Sequence, residues 1–257
     1  MKIDWSLLTT ELALWRNHDL PLPIWWRDDD AIADTPALQR LSQIANDVGV
    51  PVHIAVIPDP MTPSLPPAIK QNPHLIPIIH GWRHVSHAPE GSKNAEFGHP
   101  RPEAAAELKQ AIEVLEDGFG DQLIKLFVPP WNRISPDLLP VLATAGYRGV
   151  STYGARGATH ATTGLMQINT HIDPIYWRGH RGLVAPEVLI EGIAATLRER
   201  REGRTDTTEP LGLLTHHLVH DEDIWAFSGD VLRVLLDGGA KPADIGGLLQ
   251  AERNPNI

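Results

Sequence analysis

Short apolar runs alternate with helix-like segments along most of this sequence. Seven runs rich in β-branched and other apolar residues predict strands, at residues 23–30, 50–58, 75–80, 123–128, 147–153, 165–172 and 211–214. Helical patterns with start or stop signals predict helices at residues 36–49, 102–118, 138–145, 186–204 and 230–236. Strands that alternate with helices form parallel βαβ units. The pattern therefore predicts one α/β domain over residues 1–257, barrel-like or doubly wound.

Local signals place several of these boundaries. Thr35-Pro36 and Ser135-Pro136 each combine a capping hydroxyl with a proline at the first helical position, which is typical of a helix start. Gly49 and Gly146 are suited to the corresponding helix ends. The stretch 58–77 holds seven prolines, and we expect it to be a surface loop over one end of the sheet.

Composition narrows the function classes. The chain of 257 residues is 42% hydrophobic, which is enough for a full core and excludes intrinsic disorder. The absence of cysteine excludes disulfides, thiolate zinc sites and a cysteine nucleophile. A net charge of −10 without a basic stripe argues against nucleic-acid and anionic-membrane partners. With neither a signal peptide nor an apolar run of roughly 20 residues, we expect a cytoplasmic protein.

Polar and aromatic residues follow five of the predicted strands. These residues are Asp28-Asp29-Asp30, His80-Gly81-Trp82-Arg83-His84, Pro129-Pro130-Trp131-Asn132-Arg133, Asp173 with Trp177, and Thr215-His216-His217. In parallel α/β architectures the ligand site forms at the carboxyl ends of the strands. We therefore expect these five strand ends to converge on one site. No glycine-rich phosphate loop and no nucleophile elbow accompanies them.

The histidine pair His80 and His84 indicates a metal site. On a helical turn the spacing of four places both imidazoles on one face, and a carboxylate from the triple aspartate would complete a ligand set with an open position. The alternative is a polar loop with exposed histidines. A neighbouring aspartate would be free to act as general base, whereas Asp28 alone is best interpreted as structural.

The last strand end offers a second acid or base. We expect Asp173 to orient His216, as carboxylate–imidazole pairs do. For His217 and His220 a surface or supporting role is the simpler interpretation.

In order along the chain, these residues resemble the five motifs of the polysaccharide deacetylases, which are carbohydrate esterase family four with the NodB-homology fold. The matching segments lie within about residues 24–225 and are Asp29-Asp30, His80-Gly81-Trp82-Arg83-His84, Pro130-Trp131, Asp173-Pro174-Ile175-Tyr176-Trp177 and Leu214-Thr215-His216. The resemblance implies a single-domain distorted (β/α)7 barrel. It also implies a metal-dependent hydrolase that removes an N-acetyl group from an amino sugar or a related small carbohydrate and releases acetate.

The resemblance further implies roles for individual residues. Asp29 would be the general base, and His216, steadied by Asp173, would be the general acid. One divalent ion, Zn²⁺ in the first place with Co²⁺ or Ni²⁺ as alternatives, would be held by Asp30, His80 and His84. The backbone N–H of Trp131 would contribute to an oxyanion hole, and the acetyl pocket would be lined by Trp177 and Leu214.

The sequence departs from the family pattern at three positions. Gly81 replaces the usual hydroxyl residue, so another group must hold the loop between the two histidines. Val128 stands where the family commonly has an arginine that pairs with the base, and either Arg27 or Arg133 could replace it. Ala31 follows the acid pair in place of a glycine.

Two other functions stay open from the sequence. One is a non-catalytic carbohydrate-binding or regulatory protein on the same barrel, and the other is a metallohydrolase acting on a different ester or amide. A cytoplasmic enzyme would meet a soluble amino sugar, a nucleotide sugar or a glycan precursor rather than a wall polymer. The sequence leaves the oligomeric state open.

Overall fold

The computed structural model describes residues 3–251. Within this range the helices are α1 Ser6–Asn17, α2 Pro36–Val48, α3 Leu65–Lys70, α4 Ala104–Phe119, α5 Leu139–Ala145, α6 Pro186–Arg201, α7 Glu222–Asp237 and α8 Ile245–Ala251. The strands are β1 Pro23–Ala31, β2 Val52–Val56, β3 Leu75–His80, β4 Leu126–Val128, β5 Gly149–Val150, β6 His160–Thr162, β7 Leu165–Gln167, β8 Leu211–Thr215 and β9 Lys241–Pro242.

The strands form one sheet that closes on itself. Its order is β6-β7-β5-β4-β3-β2-β1-β8, with β9 beside β1, and the pairs are parallel except β6–β7. The chain after β7 closes the ring, because the His171 N–H donates to the Gly212 carbonyl at 2.7 Å and the Leu214 N–H donates to the Ile172 carbonyl at 2.7 Å. Seven parallel strands, β1 to β5 with β7 and β8, make the distorted (β/α)7 barrel that the family resemblance implies.

The inward face of β1 connects the barrel floor to its mouth. Side chains two residues apart on a strand share a face, so Trp25, Arg27 and Asp29 lie in one inward row. Trp25 belongs to a buried apolar cluster to which α8 contributes Ile245 and Leu249. A larger core packs the outer face of the sheet against the surrounding helices. The polar residues of the row therefore stand above an apolar floor.

Several predicted elements are confirmed, including α2, whose Thr35 hydroxyl accepts a hydrogen bond from the Leu38 N–H at 3.1 Å. The loop expected over residues 58–77 is wrong in part, since Leu65–Lys70 form a helix that begins with prolines in its first turn, where they are tolerated. Helix α7 begins at Glu222, earlier than the 230–236 prediction, because Asp221 caps it through the Ile224 N–H.

Helices α1 and α8 and strands β6 and β9 were not predicted from the sequence. Between residues 3 and 251, no helix has both the length and the apolar character needed to cross a membrane.

Candidate active site

A bulge at the end of β1 turns two consecutive carboxylates toward the same cleft. Neighbouring residues of a regular strand point to opposite faces, which would separate Asp29 from Asp30. The register between β1 and β2 shifts between Asp28 and Ala31, and Asp30 takes a left-handed φ of 77°. Bulges re-aim side chains in this way next to functional sites. Asp29 stays in the inward row, and Asp30 turns toward the end of β3.

Asp30, His80 and His84 form a triad that could hold a metal ion. The Asp30 Oδ1 atom lies 3.0 Å from His80 Nε2 and 3.3 Å from His84 Nε2, and one ligand atom from each residue lies within 4.8 Å of the others. His80 Nδ1 is 3.0 Å from the Val128 carbonyl oxygen, which can only accept, so Nδ1 carries a proton. The Nε2 atom of His80 therefore faces a carboxylate oxygen, and that contact requires either a proton on the imidazole or a cation between the two atoms.

The electrostatics of the triad suit a cation. Burial opposes ionisation of Asp30, but the hydrogen bond and charge of His80, with smaller effects of His216 and His84, hold the pKa of this carboxyl well below its usual value. Burial and the neighbouring His80 lower the pKa of His84, which keeps its imidazole neutral and able to coordinate. Two imidazoles and one ionised carboxylate are a ligand set that Zn²⁺ and its neighbours accept. The residues present therefore fit a divalent metal.

Glu96 holds the loop between the two histidines. Its buried carboxylate accepts hydrogen bonds from the Trp82 N–H at 3.0 Å and the Arg83 N–H at 2.7 Å. Gly81 has a φ of 57°, and a Cβ there would approach the Glu96 Oε2 atom to 2.2 Å. A residue with a side chain at position 81 would therefore collide with the carboxylate. Glu96 therefore supports the loop in place of the hydroxyl residue that the family commonly has at position 81.

Arg27, and not Arg133, pairs with Asp29. The Arg27 Nε atom lies 2.9 Å from Asp29 Oδ1, and Nη2 donates to Asp29 Oδ2 at 3.0 Å. The buried guanidinium is further fixed by Asn132 Oδ1 at 2.7 Å and Ser151 Oγ at 2.7 Å. Arg133 instead donates to the Asn94 carbonyl. The arginine partner of the expected base thus comes from β1 rather than from the end of β4.

His216 faces Asp29 from the end of β8. Its Nε2 atom is 4.0 Å from Asp29 Oδ2, and its ring meets the Trp177 ring edge-on with centroids 4.7 Å apart. Asp173 accepts hydrogen bonds from the Trp177 indole N–H at 2.8 Å and the Ile175 N–H at 3.0 Å. Its described hydrogen bonds do not include His216. Asp173 therefore positions Trp177, which packs on His216, and acts on His216 itself through charge.

A second carboxylate–imidazole pair lies beneath the site. Asp28 Oδ1 is 2.5 Å from His217 Nδ1, and its Oδ2 atom accepts from the Thr215 hydroxyl and the His217 N–H. Both side chains are buried, so the surface position considered for His217 is wrong, whereas a supporting role agrees with its contacts. Burial lowers the pKa of His220 to about 4, and its neutral Nε2 atom accepts from the His216 N–H at 3.2 Å.

The aromatic residues frame the cleft. The Trp131 ring packs on the His84 ring with centroids 4.3 Å apart, and Trp177 is 41% exposed at the opposite side. Leu214 is buried behind His216. Asp30, His84, Trp131 and Asn132 are all non-glycine residues with positive φ. Backbone strain of this kind persists where the surroundings over-determine it, often at functional sites.

Glu96 and Ser151 were not predicted as site residues, and Asn132 was named only as part of the segment that follows β4. Asn132 adjoins a recognised motif, but Glu96 is only one acid between Ala95 and Phe97. Its burial was the informative signal, and burial is visible only in the folded chain.

Known structures share this architecture although sequence comparison finds nothing. No protein-family model matches the sequence, and no curated protein matches it. A candidate polysaccharide deacetylase from Mycobacterium smegmatis superposes with a TM-score of 0.61 at 18% identity, over 86% of this chain and 78% of that one. The chain has the polysaccharide deacetylase fold.

Two further structures illustrate what proteins with the polysaccharide deacetylase fold do. A family 4 acetyl xylan esterase from Clostridium thermocellum, in complex with a cobalt ion, has a TM-score of 0.51 at 13% identity, over 89% of this chain and 90% of that one. A family 4 pseudoenzyme from Bacillus anthracis has a TM-score of 0.55 at 12% identity, over 89% of this chain and 66% of that one. At such identities the likeness establishes the fold, and the chemistry must be argued from the site.

Proposed function

We propose that this protein is a divergent member of the polysaccharide deacetylase family, a metal-dependent hydrolase that removes an N-acetyl group from a carbohydrate and releases acetate. The observation that carries the proposal is the convergence, at one barrel mouth, of the Asp30, His80 and His84 triad with the Arg27–Asp29 pair and His216. The cobalt-containing esterase and the candidate deacetylase, which share the fold, support the proposed activity.

A divalent ion held by Asp30, His80 and His84 would supply a Lewis acid for the amide carbonyl. Asp29 is the general base, because its carboxylate pairs with Arg27 and is not required for the ligand set. The two contacts from Arg27 fix the orientation of this carboxylate, so that it can take a proton from the attacking water without rearrangement.

His216 is the group that returns a proton to the leaving amine. It lies across the cleft from the triad, and its Nε2 atom faces Asp29 at 4.0 Å, so acid and base border the same space. The Trp177 ring restricts the imidazole, and Asp173 restricts the Trp177 indole. The backbone N–H of Trp131 is the proposed donor to the oxyanion, and Trp177 with Leu214 borders the acetyl methyl.

Metal content is the first test. Elemental mass spectrometry of the wild type should find about one equivalent of a divalent metal such as zinc, cobalt or nickel, and His80→Ala/His84→Ala should retain none. His87→Ala is the matched control, since His87 is an exposed histidine in the segment after His84. Absence of metal from the wild type after incubation with zinc or cobalt would break the mechanism at its first step.

Turnover separates the base from the ligands. Asp29→Asn should keep its metal and lose acetate release from N-acetylated sugars by roughly 100-fold to 10,000-fold, as expected for removal of a general base. Unchanged turnover would overturn the role of Asp29. Sugar binding without any acetate release would favour a non-catalytic protein, and faster cleavage of O-acetyl than of N-acetyl substrates would favour an esterase.

A further inference from the structure

A second cavity adjoins the candidate site over the carboxyl ends of β5 and β7. It has a volume of about 510 Å³, and Val150, Thr152 and Gln167 lie along one side of it. The segment after Trp131 forms another side, through Asn132 and Arg133. This space is large enough for a sugar ring or its substituent, and no residue in the mechanism proposed above uses it.

The charge of this cavity is opposite to that of the protein. Lys93, Arg133 and His99 line it, and none of the described residues around it is acidic. The chain as a whole carries a formal net charge of −10, whereas the described residues that line this cavity carry two positive charges and no carboxylate. Such a cavity attracts anions, and lysine and arginine are the side chains that bind phosphate and carboxylate groups.

The geometry of Arg133 leaves donors for a ligand. Its Nη1 atom donates to the Asn94 carbonyl at 2.7 Å, which anchors the guanidinium beside the cavity. The other guanidinium nitrogens have no partner among the described contacts, and the fork is planar and always charged. Lys93 lies one residue before Asn94, so the same short segment carries one cation and positions the other.

One residue links this cavity to the proposed base. The Nη2 atom of Arg27 contacts both Asp29 Oδ2, at 3.0 Å, and Asn132 Oδ1, at 2.7 Å. Because both oxygens touch the same nitrogen, the wall of the cavity lies within two hydrogen bonds of the Asp29 carboxylate. Asn132 thus borders the basic cavity and contacts the Arg27–Asp29 pair at the same time.

We propose that the Lys93–Arg133 cavity binds a negatively charged substituent, a phosphate or a carboxylate, of the N-acetylated sugar on which the enzyme acts. The inference rests on the proposed function, because it names the substrate class of the same site. It also separates this protein from an enzyme for neutral acetylated polymers. Asn132 and Gln167 also line the cavity and offer amide groups for hydrogen bonds to the bound sugar.

Binding tests the inference independently of catalysis. In an Asp29→Asn background, which prevents turnover, calorimetry would compare N-acetylglucosamine with its 6-phosphate and with N-acetylmuramic acid, which carries a carboxylate. The charged sugars should bind about tenfold or more tightly than the neutral sugar, as expected for a charge-assisted hydrogen bond. A preference for the phosphate or the carboxylate sugar would identify the source of the charge.

Variants locate the effect. Arg133→Gln and Lys93→Gln should each remove most of the preference for charged sugars, Arg133→Lys should restore part of it, and Lys70→Gln, at an exposed lysine of α3, should change nothing. Unaltered thermal unfolding of each variant would exclude a folding defect. Equal affinity for neutral and charged sugars, or a preference that survives Arg133→Gln, would overturn the inference.

The two proposals fail differently. Acetate release from neutral and charged sugars at the same rate would leave the deacetylase and remove the anion subsite. Binding of charged sugars that depends on Arg133, without acetate release from any of them in the wild type, would remove the deacetylase and keep the subsite.

Discussion

Besides the buried Asp28–His217 pair, two clusters in this barrel combine histidine with carboxylate, and they differ in how their carboxylates are bonded. The triad of Asp30, His80 and His84 lies at the mouth of the barrel. The second, which we call the Glu209 cluster, consists of Glu209, His171, Arg156 and Arg200 and lies beside the chain that closes β7 onto β8.

Both oxygens of Glu209 are occupied. The Oε1 atom accepts from the Asn169 N–H at 3.0 Å, and Oε2 accepts from the Arg156 N–H at 3.1 Å and lies 3.2 Å from His171 Nε2. Arg200 lies nearby and donates to the Glu209 carbonyl. Burial opposes ionisation of Glu209, but the hydrogen bond and charge of His171, with the backbone donors, lower the pKa of this carboxyl.

The triad has no such neutralisation. Its ligand atoms point at one another, no arginine within residues 3–251 is bonded to it, and Asp30 and His84 hold positive φ values. A carboxylate enclosed by donors has nothing left to bind, whereas converging acceptors on a strained backbone leave a place for a cation. The clusters also differ in burial, because the side chains of Glu209 and Arg200 are each 1% exposed, whereas those of Asp30 and His84 are 34% and 25% exposed.

The largest expected difference between the clusters is in stability. Glu209→Gln removes the charge that compensates Arg200, so we expect a loss of about 3–5 kcal/mol in the free energy of unfolding, as for other broken buried ion pairs. Asp30→Asn should change the same quantity by less than about 1 kcal/mol, because asparagine tolerates a positive φ. Urea unfolding of both variants in the presence of a chelator gives the two values.

Glu209→Gln and Asp30→Asn each replace a carboxylate by an amide of the same shape, so their effects can be compared directly. Metal binding should show the reverse order, with Asp30→Asn losing the ion and folded Glu209→Gln retaining it. Equal destabilisation by the two substitutions would mean that Asp30 is as structural as Glu209.

His53 sharpens the comparison, since it is a buried histidine bonded to a backbone carbonyl, that of Trp26, at 3.1 Å. Burial lowers the pKa of His53 to about 4. The unfolded chain therefore takes up a proton near pH 6.5 that the folded chain refuses until about pH 4. As the pH falls from about 6.5 to about 4, His53 should therefore lower the free energy of unfolding by on the order of 3 kcal/mol. Above about pH 6.5 the residue should have no such effect.

The measurement is the free energy of unfolding of wild type and His53→Leu between pH 8 and pH 4. The stability difference between them should shift in favour of the variant as the pH falls, and His87→Gln, at an exposed histidine, should follow the wild type. Parallel curves for wild type and His53→Leu would show that His53 charges in the folded state.

The smallest expected effect belongs to Glu96, which acts on the triad through the loop. Glu96→Ala frees the Trp82 and Arg83 N–H groups, and we expect metal affinity to fall by about 10-fold to 100-fold, as for other groups that orient metal ligands. Competition titration with a chromogenic chelator measures this change. Glu90→Ala, at an exposed acid of the same segment, is the control, and an unchanged affinity in Glu96→Ala would mean that the histidines hold the loop themselves.

Much of the candidate site could be predicted because its residues follow strands. Asp29, His80 and His216 stand at carboxyl ends that any parallel barrel brings together, so order along the chain sufficed to group them. The pairing of individual side chains was harder to predict, because it depends on a single spatial neighbour. The choice between Arg27 and Arg133 depended on which guanidinium enters the barrel, and the partner of Asp173 depended on where the Trp177 ring packs.

The helix Leu65–Lys70 was missed because its formation also depends on tertiary contacts. The helix within the proline-rich stretch forms because Leu65 and Ile69 are buried, although the local composition favours a loop. Tertiary burial overrides propensity in such short segments.

The parallel α/β architecture and the edge at which the candidate site lies could be predicted from local properties of the chain, namely the alternation of strands and helices and the residues that follow each strand. Three features required the folded chain: the bulge that turns Asp29 and Asp30 into one cleft, the support of the histidine loop by Glu96, and the cavity that Lys93 and Arg133 border. Each of them depends on distances and burial between different elements, which exist only once the barrel has closed.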